Sequence, residues 1–232
     1  MIVMLTTIDG KRFLTYNDDN IEIVISTIDN DFNINGDNFQ NNMDFLKGSL
    51  GVHEIGYSKQ IHSTIVNNWN GEVKEGDALI CNDKNIAIGV FTADCVPILI
   101  YSKDEKVIAA VHSGWRGTFE NIIEKTIKEI KNAYGEMEFN AVIGPHIKRC
   151  CYEVSEELID KFKNLEYFKD KTINDGRNLD LTTIIKIQLE NLNIKNIKDL
   201  SMCTYCSENV KFHSYRKEKE KSGRIFSAIV AR

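Results

Sequence analysis

Proline is nearly missing from this chain: Pro97 and Pro145 are the only two in 232 residues. That excludes a proline-rich linker or an extended polyproline arm. No run of 18 apolar residues occurs, so no membrane-spanning helix is expected. An excess of positive charge is also missing. The formal net charge is −5, and the basic stretch 211–221 is interleaved with Glu218 and Glu220. A nucleic-acid track needs a basic patch that this pattern does not supply, so the stretch reads as a solvated surface. Residues 1–8 carry no basic residue ahead of their apolar positions, and Asp9 and Lys11 end the stretch. It does not read as a signal peptide, and a cytoplasmic location is expected. In such a setting the six cysteines are read as reduced thiols or ligands, not as a disulfide framework.

What is present is ordinary for a globular chain, with 42% apolar and 27% charged residues. Neither an internal repeat nor a Gly-rich linker interrupts it, so one domain over residues 1–232 is the simplest reading. The Asn- and Asp-rich segment 29–42 fits a surface loop. Residues 21–25 begin with an apolar/polar alternation. Segments 86–91, 96–101, 107–111 and 141–143 are nearly continuous apolar runs, as strands buried on both faces are. A closing strand is expected at 225–230. Between them lie helical patterns. After Thr118, Ile123, Ile127, Ile130 and Tyr134 recur on one face, with Gly135 just past the end. Ser155 and Asp180 each open a further helix. Strands alternating with helices predict an α/β or mixed α+β sandwich.

Three segments hold metal-capable side chains: Gln60-Ile61-His62, Thr92-Ala93-Asp94-Cys95 and His112-Ser113-Gly114-Trp115-Arg116-Gly117. Cys95 falls in a bend between two buried strands, and His112 falls at the end of the next. Strand ends hold side chains rigidly while letting them face a cleft. Two readings of these residues compete. In one, His112 deprotonates Cys95 and the thiolate is a nucleophile. In the other, His62, Cys95 and His112 bind one cation and leave a tetrahedral position open, the arrangement of catalytic zinc. The same donors are the core of a copper electron-transfer site. The plain alternative is two structural histidines and a buried thiol. The glycine-containing turn 114–117 ahead of a helix offers N–H groups to an anion, and Arg116 could add a guanidinium fork.

Other candidates are weaker. Cys203-Thr204-Tyr205-Cys206 is a CxxC, but no second CxxC or paired histidines accompany it. A closed structural zinc site therefore lacks half its ligands, and ordinary buried thiols are expected. The adjacent Cys150 and Cys151 read as packing. His53, His146 and His213 are isolated. Trp115 could be core or the wall of a ligand site.

From about Leu50 onward the chain resembles the bacterial laccase-domain family, whose members are called multicopper polyphenol oxidoreductase, purine nucleoside phosphorylase or peptidoglycan editing factor. The motifs above carry the resemblance, together with Gly76-Asp77-Ala78, Ile143-Gly144-Pro145, Cys150-Cys151-Tyr152-Glu153-Val154, Leu179-Asp180-Leu181, Cys203-Thr204 and Ser214-Tyr215-Arg216. The resemblance implies a mixed β-sandwich flanked by helices, related to a cysteine-hydrolase-like toxin fold. It implies that His62, Cys95 and His112 are both metal ligands and catalytic centre, with zinc preferred and copper possible. Gln60, Asp94, Ser113, Gly114, Arg116 and Arg216 then become the substrate-binding positions. The implied reaction is phosphorolysis of adenosine, inosine and methylthioadenosine, with adenosine deamination as a second activity. Its partners are a purine nucleoside and phosphate.

Two further readings come with the family: laccase-like polyphenol oxidation, and an amidase acting on a cytoplasmic cell-wall precursor. A trinuclear copper cluster plus an electron-entry copper needs many more histidines than the five here, so oxidation ranks second. The chain also departs from the family pattern. An Arg is expected after Thr27, where Ile28 stands, and Lys217 replaces the second Arg after Ser214-Tyr215. A lysine supplies charge but not a bidentate fork.

Overall fold

A computed structural model describes residues 3–232. In chain order the elements are β1 (Met4–Ile8), β2 (Lys11–Asp18), β3 (Ile21–Ser26), α1 (Phe39–Leu50), β4 (Glu54–Tyr57), β5 (Val66–Asn68) and β6 (Ala78–Cys81). Then come β7 (Ile86–Thr92), β8 (Val96–Ser102), β9 (Ile108–Ser113), α2 (Trp115–Phe119), α3 (Ile122–Tyr134), β10 (Phe139–Ile143) and α4 (Glu156–Lys163). The remainder is β11 (Asn174–Asp175), β12 (Asn178–Leu179), α5 (Leu181–Asn191), β13 (Asn196–Asp199), α6 (Tyr215–Glu218) and β14 (Ile225–Ala231).

Two six-stranded mixed sheets result, ordered β1-β2-β3-β14-β7-β4 and β13-β10-β8-β9-β6-β5. The near-continuous apolar strands are explained by burial on both faces. Along β14, Ile225 and Ile229 point into the space between the sheets, while Phe226, Ala228 and Val230 pack toward α1. Along β9, Ile108 and Ala110 join the inter-sheet core, and Ala109 and Val111 face α3 and α5. The period of two thus serves two cores at once. The architecture is a mixed α+β sandwich of two sheets flanked by helices, as expected.

Local differences from the sequence reading have physical causes. The helix with Ile123, Ile127 and Ile130 begins at Ile122, not after Thr118, because Asn121 turns left-handed (φ 54°) and caps it by accepting Glu124 N–H. Ser155 and Asp180 cap α4 and α5, accepting Leu158 N–H and Thr183 N–H. Segment 29–42 is not simply a surface loop. Phe32 is fully buried against Phe226, and residues from Phe39 onward are helical. Among the described residues no helix is long and apolar enough to cross a membrane.

Candidate metal centre and active site

His62, Cys95 and His112 meet at one point, and their ligand atoms lie within 4.8 Å of one another. Each arrives from a different place. His62 sits between β4 and β5 in a left-handed conformation (φ 58°). Cys95 sits in the tight connection from β7 to β8, preceded by Asp94 at φ 91°. His112 is the penultimate residue of β9, paired across from Pro97. Cys95 Sγ is 3.9 Å from His62 Nε2, and the two imidazoles stand edge to face with centroids 4.9 Å apart.

One buried carboxylate organises this constellation. His112 Nδ1 donates to Asp77 Oδ1 at 2.7 Å, which leaves Nε2 for the centre. The same carboxylate accepts His62 N–H at 3.0 Å, Ser63 N–H at 2.6 Å and the Ser63 hydroxyl at 2.7 Å. Asp77 therefore fixes both the ring of His112 and the strained turn that presents His62. A carboxylate behind a ligating imidazole is the usual support of a metal site. Burial works against the charged form of Asp77, but the bonds from His112 and Ser63 outweigh it and hold the carboxyl below its ordinary range. Burial likewise opposes ionisation of Cys95, yet the charge and hydrogen bonds of His112, then His62, pull its thiol down to about 6. His112 loses by burial and gains more from Cys95 and Asp77, which push it up to about 9. With His112 Nε2 deprotonated, the nitrogen–nitrogen–sulfur donor set fits a borderline cation such as zinc, or copper.

His62, Cys95 and His112 line a cavity of about 450 Å³, within the range of small-molecule sites. Phe91 and Tyr152 contribute aromatic rings to its lining, and Lys59, Arg216 and Arg224 bring positive charge. Arg216 stacks on Tyr152, 5.4 Å from the ring centroid, and donates through Nη1 to Glu153 O. Two buried hydroxyls on the lining, Ser58 and Thr92, have no protein partner.

The structure divides the expected substrate-binding residues. Gln60, Asp94 and Arg216 line the cavity; Ser113, Gly114 and Arg116 do not. Gln60 is locked to the backbone of Phe91, donating to its carbonyl and accepting its N–H, both at 2.7 Å. Asp94 accepts the hydroxyls of Thr204 and Ser214 and the N–H of Arg216, so it ties the later segments to the Cys95 bend. The Ser113 hydroxyl is buried against Thr118. Gly114 backs the ligands instead: a Cβ there would lie 3.1 Å from Cys95 Sγ and 3.2 Å from the His62 ring. Arg116 is exposed and lies over Trp115, outside the cavity that Arg216 and Arg224 line.

Asp77, Arg224, Ser58 and Thr92 were not singled out from sequence. Asp77 and Thr92 stood within the motifs Gly76-Asp77-Ala78 and Thr92-Ala93-Asp94-Cys95, with no role given to either. His146 and His213 bond elsewhere, to Gly144 O and Thr182 and to Asn30 O. Cys150, Cys151, Cys203 and Cys206 depart from the reading as separate buried thiols: Cys150 and Cys206 are exposed, and all four sulfurs gather. Their two halves lie more than fifty positions apart, and a vicinal pair is not a CxxC, so spacing concealed the grouping.

The family model described as multi-copper polyphenol oxidoreductase laccase matches residues 28–232, starting earlier than the Leu50 at which the sequence motifs began. A Clostridium acetobutylicum protein named purine nucleoside phosphorylase is 42% identical over 229 residues, covering 96% of this chain and 97% of its own. An Aquifex aeolicus protein of the same name is 40% identical over 157 residues, 67% of this chain and 71% of its own. A crystal structure of a Neisseria meningitidis protein superposes with a TM-score of 0.81 at 25% identity, covering 94% of this chain and 98% of that one.

Proposed function

The chain belongs to the family described as multi-copper polyphenol oxidoreductase laccase, and from that premise we propose that it is a zinc-dependent purine nucleoside phosphorylase. Its substrates are adenosine, inosine and methylthioadenosine, and adenosine deamination is a second activity of the same site. The observation that carries this reading is the set His62, Cys95 and His112 lining a cavity with aromatic rings and guanidinium groups. The relatives named purine nucleoside phosphorylase support it.

His62, Cys95 and His112 hold the zinc, which when bound supplies Lewis acidity in the cavity. Phosphorolysis forms a bond from a phosphate oxygen to the sugar carbon and breaks the bond from that carbon to the purine nitrogen. The protein must therefore hold an anion and a flat base side by side. Phe91 and Tyr152 offer the base aromatic rings. Arg216 has only Nη1 committed to Glu153 O, and Arg224 has Nη1 committed to Ser222 O and Gly223 O. The remaining donors of each five-donor fork suit a phosphate.

The test measures metal content and products together, with each nucleoside, with and without phosphate. Base release that needs phosphate is expected, along with inosine from adenosine alone. Cys95→Ala removes the metal from this centre and turnover with it. A Cys95→Ala protein with undiminished turnover overturns the reading.

A further inference from the structure

The second gathering of metal-capable side chains shares no residue with the first. Cys150 and Cys151 lie in a turn after β10, and Cys203 and Cys206 lie in a turn after β13. The two segments run side by side at their starts. His146 N–H donates to Met202 O at 3.3 Å, and Thr204 N–H donates to His146 O at 3.0 Å. Both turns then converge, and the four sulfurs all lie within 4.8 Å of one another. Cys150 Sγ and Cys206 Sγ are 3.6 Å apart.

These separations have the scale of one ion. A metal–sulfur bond of about 2.3 Å in a tetrahedron sets sulfur–sulfur edges of about 3.8 Å. Backbone N–H groups are also aimed at sulfur: Lys148 N–H donates to Cys203 Sγ at 3.5 Å. Burial works against ionising Cys203, but that bond and those from Cys206 and Tyr205 N–H outweigh it and lower the thiol. Cys150 goes the other way, pushed up to about 11 by burial first. Thiols crowded like this repel as anions and need a cation to ionise together.

We propose that Cys150, Cys151, Cys203 and Cys206 form a closed structural site for one zinc ion, separate from the catalytic centre. Soft thiolates favour zinc over hard cations, and four protein ligands leave no open position. Binding releases the thiol protons to solvent as four sulfur–metal bonds form. The site staples segments 144–152 and 203–206 together. Both also reach the catalytic bend, through Ile147 N–H to Asp94 O at 3.0 Å and the Thr204 hydroxyl to Asp94 Oδ1 at 2.6 Å. Tyr152, next to Cys151, lines the cavity.

The decisive sample is Cys95→Ala purified under reductant, because it keeps all four cysteines whatever the catalytic centre holds. One zinc per chain is expected, with an X-ray absorption spectrum showing an all-sulfur shell at about 2.3 Å. Adding Cys150→Ser and Cys206→Ser, both at exposed positions, takes that zinc from one to none. No zinc in Cys95→Ala, or nitrogen or oxygen in its shell, overturns the proposal. So does a disulfide between any two of these cysteines in the untreated wild-type protein, read by peptide mass.

Discussion

Asp77 is 1% exposed and shared by both histidines of the centre, so its effect should exceed that of any single bond it makes. Asp77→Asn keeps the size of the side chain but replaces one of its two acceptors with a donor, which must face either His112 Nδ1–H at the Oδ1 position or Ser63 N–H at the Oδ2 position. Metal affinity or turnover is expected to fall roughly 10- to 100-fold, as on loss of such supports elsewhere. Metal titration and steady-state rates check this, with circular dichroism confirming the fold; unchanged values would remove Asp77 from its assigned role. The grouping of His62, Cys95 and His112 was legible through the family motifs, since spacing alone left two structural histidines and a buried thiol as the plainer alternative. Asp77 was not, because a lone carboxylate among 34 acidic residues carries no mark of burial. Arg116 was as conspicuous in the sequence as those three ligands, and its guanidinium lies outside the cavity. A guanidinium beside a glycine turn looks like an anion grip, but a strand-to-helix turn can aim it outward, here across Trp115.

Elements buried on both faces announced themselves through unbroken apolar runs, as β7, β8, β9 and β14 did. The strands that went unread have mixed or short patterns. β2 reads Lys-Arg-Phe-Leu-Thr-Tyr-Asn-Asp, and β4 is four residues long. Such segments become strands through their neighbours' hydrogen bonds, which no local pattern contains. At the end of β13, Asp199 shows how an element is pinned. It meets Lys148 at 3.1 Å and Lys186 of α5 at 3.1 Å, and accepts Ser201 N–H. Burial raises its carboxyl, but the Ser201 N–H and the two ammonium groups win and lower it from 3.8 to about 2. A carboxyl depressed on folding stabilises above its unfolded value and loses that contribution as pH falls through the folded value. Asp199 thus contributes roughly 2 kcal/mol above pH 4, lost on approach to pH 2. Urea unfolding of Asp199→Asn should show that deficit at pH 6 and little of it near pH 2. A gap independent of pH contradicts the assignment.

Across the whole molecule, stability rests on the apolar layer between the sheets, where Leu99 is fully buried with Ile108 and Ile229 in the same cluster. Leu99→Ala is expected to cost about 2–5 kcal/mol. Denaturant midpoints at constant slope measure it; a loss under 1 kcal/mol would place the main core elsewhere. The sandwich class was readable from alternating strand and helix signals, but the strand order was not, because pairing joins distant segments. β14 illustrates this: it lies between β3 and β7, with Ser227 opposite both Ile25 and Val90. Until residues 225–231 dock, β3 and β7 each present an open, apolar edge to solvent. A chain in which β14 has not docked would therefore carry two adhesive ribbons waiting for a shared partner. Crowded, warm synthesis should favour clumping at that stage, and cooler, slower production should favour recovery of native material.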